Sequence, residues 1–152
     1  MELIFWRHAE AAPGEPDDAR PLTDVGRAQA ERMARFLALR LPKDLRMLVS
    51  PARRAQETAR ALGQSFETIE GLAPGAGAAS LLAIAGWPDA VRPVLLVGHQ
   101  PTFGEAVSRL IGASDAGWLL GVGAVCWLRS ETRKGRGEAA LLLSIEPEIL
   151  ES

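Results

Sequence analysis

The chain of 152 residues holds two histidines, and each follows an apolar run. Leu3-Ile4-Phe5-Trp6 leads into Arg7-His8, and Val94-Leu95-Leu96-Val97-Gly98 leads into His99. A third run, Met47-Leu48-Val49, opens into Ser50-Pro51-Ala52-Arg53-Arg54. Short apolar runs with neither helix period nor polar alternation read as strands buried on both faces. In open α/β sheets ligands bind beyond the carboxyl ends of the strands, and all three runs deliver His or Arg there. Imidazoles and guanidiniums gathered at that lip form an anion site, and the planar guanidinium fork matches phosphate oxygens two at a time. The chemistry that suits them is phosphoryl transfer. A neutral nitrogen of His8 would attack phosphorus in line, with Arg7, Arg54 and His99 holding the equatorial oxygens. A covalent phosphohistidine would form and then be hydrolysed by water.

The elements that must position these groups follow from pattern and punctuation. After His8 a polar loop runs from Ala11 to about Leu22, and Thr23 or Asp24 caps a helix reaching about Arg40. Ala30, Met33, Ala34, Leu37 and Leu41 fall on one face of it, and Pro42 ends it. The second strand is expected over Arg46 to Ser50, with Pro51 in the first turn of a helix continuing to Gly63. A short strand over Phe66 to Ile69, a Gly/Pro loop from Gly71 to Gly77 and a small helix over Ala78 to Ala85 precede the strand Val94 to Gly98. Pro101 to Ile111 reads as another helix begun by proline, beside the cleft like that after Pro51, so that both N-termini add backbone donors for an anion. Gly123 to Ser130 and Glu138 to Ile145 read as a hairpin around a mobile basic turn, Arg133 to Arg136, whose tip is solvated. The order β-α-β-α-β-α-β-α-β-β specifies an α/β fold. The expected form is a three-layer αβα sandwich, mainly parallel, with an antiparallel C-terminal hairpin at one edge and one domain over residues 1–152.

Composition narrows the function classes. Hydrophobic residues make up 47% and charged residues 24%, the proportions of an ordinary globular chain. A net charge of -2 argues against nonspecific binding to nucleic acid or an acidic membrane. No apolar run approaches the roughly 18 residues of a membrane span. The single cysteine, Cys126, reads as a small buried hydrophobe in a reducing compartment, the cytoplasm. Acidic clusters, a His-x-x-x-His pair and paired cysteines are missing, as are a Walker lysine motif and a Gly-rich dinucleotide turn. The expectation is a phosphate handled without metal or cofactor.

Four blocks then stand in order: Arg7-His8-Ala9-Glu10-Ala11; Leu22-Thr23-Asp24-Val25-Gly26 with Gln29-Ala30; Ser50-Pro51-Ala52-Arg53-Arg54-Ala55-Gln56-Glu57-Thr58-Ala59; and Gly98-His99-Gln100-Pro101-Thr102. Together they resemble the histidine phosphatase superfamily, the phosphoglycerate-mutase-like group named for its Arg-His-Gly motif. The resemblance covers nearly the whole chain. It implies that His8 is the nucleophile, Arg7 and Arg54 the phosphate-holding arginines, His99 the second histidine and Gln100 a substrate contact, with Arg53 preceding the motif arginine.

Two departures from the family pattern carry meaning. Ala9 stands where the family usually has Gly, and Ala fits there if φ is negative. The acid that protonates the leaving group in mutase-like members has no clear counterpart. Glu70 lies in the corresponding region, within a short segment like that of the SixA-type phosphohistidine phosphatases, and Glu10 matches an acidic position of that subgroup. As a surface residue, Glu10 reads more simply as a solvated or ion-paired carboxylate. A missing general acid would slow ester cleavage about 10²–10⁴-fold, whereas an imidazole leaving a P–N bond is near its own pKa at neutral pH. The resemblance therefore implies hydrolysis of phosphohistidine on a partner protein, such as a histidine phosphotransfer domain, at an open and lidless site. Two alternatives remain at this level: a phosphatase for small phosphate monoesters using Glu10 or Glu70, and a phosphate-binding module without turnover.

Overall fold

The computed structural model describes residues 1–112, 117–133 and 136–151. Its elements are β1 (Glu2–Arg7), α1 (Asp24–Ala38), β2 (Arg46–Val49), α2 (Arg53–Arg60), β3 (Glu67–Thr68), α3 (Ala78–Ala85), β4 (Val94–Gly98), α4 (Thr102–Ile111), β5 (Val125–Arg133) and β6 (Arg136–Ile145). The strands form one sheet in the order β3-β2-β4-β1-β5-β6. β4 pairs in parallel with β1 on one side and β2 on the other, and β3 continues the parallel set. β5 runs antiparallel to β1 and pairs with β6, so the expected mixed sheet with its hairpin edge is what forms.

Period-two alternation sorts the central strands between two cores. Leu3, Phe5, Val94 and Leu96 pack with Ala78, Leu81 and Ala85 of α3 and with Phe103, Ala106 and Val107 of α4. Ile4, Trp6, Leu95 and Val97 face the other way, onto Met33, Ala34 and Leu37 of α1 and Ala55 and Ala59 of α2. Both sheet faces are covered, which is why these strands read as continuous apolar runs.

Register then fixes the site. Arg7 is paired with Gly98, and Val49 with Val97. The ladder continues one residue further, with His8 N–H donating to Gly98 O and Ser50 N–H to Val97 O, each at 3.0 Å. His8, His99 and Ser50 thus leave three adjacent strands at the same edge.

Several boundaries differ from expectation. Pro51 lies before α2, not in its first turn. Ser50 Oγ accepts the Ala52 N–H at 3.2 Å and Gln56 Nε2 donates to Ser50 O at 2.7 Å, a local turn that delays the helix to Arg53. The helix stops at Arg60, and Gly63 follows at φ +72°. Pro101 likewise caps α4 from outside. β5 and β6 run further toward the hairpin tip than the sequence pattern suggested, while Lys134 and Gly135 of the expected basic turn lie outside the described residues. No helix among the described residues is long and apolar enough to cross a membrane.

α1 begins at Asp24, where Thr23 Oγ1 accepts the Gly26 N–H at 2.9 Å. Gly26 is required for close approach, because a Cβ there would stand 2.0 Å from Glu10 O in the loop after His8. Gly26→Ala should therefore push α1 off that loop and cost about 3 kcal/mol, measured as a lower midpoint in urea unfolding.

Candidate active site

β1 ends by turning His8 into a buried position, 8% exposed, with Arg54 and His99 each 4% exposed beside it. His8 Nδ1 lies 2.7 Å from Ala9 O. A carbonyl can only accept, so Nδ1 carries the ring proton and Nε2 keeps its lone pair. That Nε2 faces Arg54, whose Nε–H donates to it at 3.3 Å. α2 presents Arg54 inward from its first turn, whereas Arg53 next to it points out and pairs with Glu57 on the surface. The rings of His8 and His99 are 5.2 Å apart.

Surrounding hydrogen bonds hold the cluster. Thr58 Oγ1 accepts the Ala9 N–H at 3.0 Å and donates to Arg54 O at 2.7 Å, so one buried hydroxyl joins the loop after His8 to the helix bearing Arg54. Ser50 Oγ lies 2.7 Å from His99 Nε2. Arg7 donates from Nη1 to Leu120 O at 2.9 Å. Two buried nitrogens of the cluster, Arg7 Nε and His99 Nδ1, have no hydrogen-bond partner. Buried polar atoms are costly unless paired, so an anion accepting from Arg7 Nε suits this pocket.

The electrostatics follow from burying so much positive charge. Desolvation lowers His8 to about 4, and Arg54, Arg7 and Arg20 add to the effect against the Ala9 carbonyl. His99 is lowered to about 3, first by burial and then by His8 and Arg54, with Asp17 opposing. Both imidazoles are neutral at pH 7, the state a nucleophile requires.

The structure brings Arg7, His8, Arg54 and His99 together. It does not bring the other expected residues in with them. Gln100 uses both ends of its amide structurally: Oε1 accepts the Gly104 N–H at 2.6 Å and Nε2 donates to Trp118 O at 3.2 Å. Glu10 is exposed and its Oε2 accepts from Thr23 Oγ1 at 2.7 Å, at the cap of α1. Glu70 is exposed and opens a 3-10 turn after β3, whose Leu72 is buried in the core. Among the described residues, no hydrogen bond or ion pair links either carboxylate to the four. Nor do the described residues include a group of three or more His, Cys, Asp or Glu able to hold a metal ion.

Sequence reasoning missed Asp17 and Arg20. The polar loop after His8 folds back against α2, anchored by an Ala11–Leu22 bridge, with its 3-10 turn Asp17–Ala19 on that helix. Arg54 Nη1 donates to Asp17 O at 3.0 Å and Nη2 to Asp17 Oδ2 at 3.1 Å. Arg20 Nε donates to Asp17 Oδ1 at 3.0 Å. Asp17 and Arg20 lie in a loop with no periodic pattern, so the sequence carried no signal that would have placed them.

An α/β sheet with imidazoles and guanidiniums at the carboxyl ends of its parallel strands defines a class of oxyanion-handling proteins. Residues 3–73 match the model of the histidine phosphatase superfamily, branch 1. The chain is 34% identical over 128 residues to a phosphohistidine phosphatase SixA homolog of Haemophilus influenzae, covering 74% of this chain and 78% of that protein. It is 32% identical over 121 residues to phosphohistidine phosphatase SixA of Escherichia coli, covering 72% and 74%. A solved structure of the protein histidine phosphatase SixA complexed with tungstate superposes with a TM-score of 0.79 at 26% identity, over 99% of this chain and 100% of that one. The chain belongs to the histidine phosphatase superfamily, and with it to the phosphatase hydrolases.

Unfolded, both histidines titrate near 6.5; folded, they titrate near 4 and 3. The native state therefore binds fewer protons than the unfolded state across that interval. Stability should be full above about pH 6.5 and fall as the pH drops toward about 4. Titration of the two imidazole signals by NMR should show neither midpoint near 6.5, and denaturation midpoints should decline through the same window.

Proposed function

We propose that the protein is a metal-independent phosphohistidine phosphatase that hydrolyses phosphohistidine on a partner protein, with His8 as nucleophile. The observation that carries this reading is the unprotonated His8 Nε2, facing a buried guanidinium 3.3 Å away in a site with two further unpartnered buried nitrogens, Arg7 Nε and His99 Nδ1. In the first step Nε2 attacks phosphorus and the substrate P–N bond breaks. Its electron pair stays on the departing ring, which leaves as neutral imidazole when its other nitrogen carries a proton. Arg7, Arg54 and His99 hold the phosphoryl oxygens as charge spreads over them. In the second step water attacks the phosphoryl group on His8. The Nε2 lone pair is restored, and orthophosphate leaves with the water oxygen and its protons.

Neither expulsion requires a general acid, because both leaving groups are imidazoles. That accords with the positions of Glu10 and Glu70, one at a helix cap and the other exposed beyond the edge strand. The SixA proteins to which the chain is similar support the same substrate class. A histidine phosphotransfer domain has the required chemistry as partner. The cytoplasm, where a lone buried thiol such as Cys126 stays reduced, is the proposed compartment.

Two measurements test this. With a labelled phosphohistidine protein and, in parallel, a labelled phosphate monoester, quenching should trap label on His8 that is stable in base and lost in acid, from the phosphohistidine donor. Equal labelling from both would favour a general monoesterase, and phosphate binding with no label from either would leave a module without turnover. Among variants, His8→Ala should lose at least about 10³-fold in kcat. Arg54→Ala should lose about 10²-fold or more, and the surface-paired Arg53→Ala less than about threefold.

A further inference from the structure

The loop between β1 and α1 sets a carboxylate directly on the phosphate-holding arginine. Arg54 is rigid and planar, and its two edges meet different groups. Its Nε reaches His8 Nε2 at 3.3 Å, while Nη1 and Nη2 reach the backbone oxygen and Oδ2 of Asp17 at 3.0 and 3.1 Å. Asp17 Oδ1 is held by Arg20 Nε at 3.0 Å. A negative charge therefore stands one guanidinium away from the reacting nitrogen, and it acts on His99 across the site.

Asp17 is unsuited to proton transfer. Desolvation, the largest single effect, raises its pKa, but Arg54 and Arg20 together more than reverse this and hold the carboxyl below its ordinary value. It is ionised at neutral pH with no proton to give, and two arginines make it a weak base. What remains is its charge. An entering phosphoryl group must share Arg54 with it, and a leaving group that departs as an anion develops negative charge in its field. A leaving group that departs as neutral imidazole does not.

We propose that Asp17 is a specificity-determining residue, whose carboxylate biases the site toward phosphoryl groups leaving neutral imidazole and against those leaving an anion. This rests on the phosphohistidine phosphatase reading and names how the same site would reject esters.

The test is Asp17→Asn, which removes the charge but keeps an amide oxygen able to accept from Arg54 Nη2 and leaves the backbone contact in place. The Asp17 side chain is half-exposed but its charge offsets a buried guanidinium, so the variant should melt several degrees below the wild type, and both are compared well below that midpoint. We would compare kcat/KM for phosphoimidazole and for p-nitrophenyl phosphate, with inhibition by inorganic phosphate alongside. The variant should bind phosphate several-fold more tightly, and its kcat/KM for the ester should rise roughly fivefold or more beyond any rise for phosphoimidazole. Parallel loss on both substrates would show that Asp17 only holds Arg54 in place, and an unchanged ratio would show that its charge is irrelevant; either overturns the proposal. Wild-type protein that cleaved the ester but not phosphoimidazole would overturn the phosphohistidine reading itself, and the specificity with it. Cleavage of phosphoimidazole with an unmoved ratio would remove Asp17 alone.

Discussion

The site depends on burying a guanidinium. Arg54 is 4% exposed, and an ionised group so far from water needs compensation on every side. Three of its five N–H groups find the Asp17 carboxylate, the Asp17 backbone oxygen and the His8 ring. The same desolvation, acting beside Arg7 and Arg54, keeps both imidazoles neutral. The neutral imidazoles and the concentrated positive charge are thus two results of one arrangement: guanidiniums withdrawn from solvent at the end of a sheet.

The sheet makes that arrangement possible by placing β4 between β1 and β2. Each strand delivers its functional residue one step beyond its last ladder pair, so register alone sets the spacing of His8, His99 and Ser50. The helices are then positioned by small local contacts. Ser50 turns the chain so that α2 starts two residues after Pro51, which points Arg54 inward and Arg53 outward. Moving the start of α2 by one residue would exchange those two side chains.

Much of this was legible in the sequence because it is carried by pattern. Runs buried on both faces announce parallel strands, and Met33, Ala34 and Leu37 at helical spacing announce the face of α1. What was not legible depends on where a loop goes. Asp17 and Arg20 belong to no periodic segment, and nothing in their spacing says that the chain folds back onto α2. Gln100 shows the converse difficulty: next to His99 in sequence, its amide closes the first turn of α4 onto Trp118. Glu10 follows the nucleophile by two residues, yet its carboxylate meets the cap of α1. Sequence adjacency to a catalytic residue says little about side-chain direction.

Ala9, where the family usually has glycine, is completely buried and its N–H is held by Thr58. Because the Thr58 hydroxyl is bonded in turn to the carbonyl of Arg54, the loop bearing the nucleophile and the helix bearing the clamp are fastened at one oxygen. His99 has no such link to either; its tie is to Ser50 on β2. The three side chains therefore divide mechanically into a linked pair and a separate third. The two histidines are thus fastened to different helices and strands: His8 through Thr58 to α2, and His99 through Ser50 to β2.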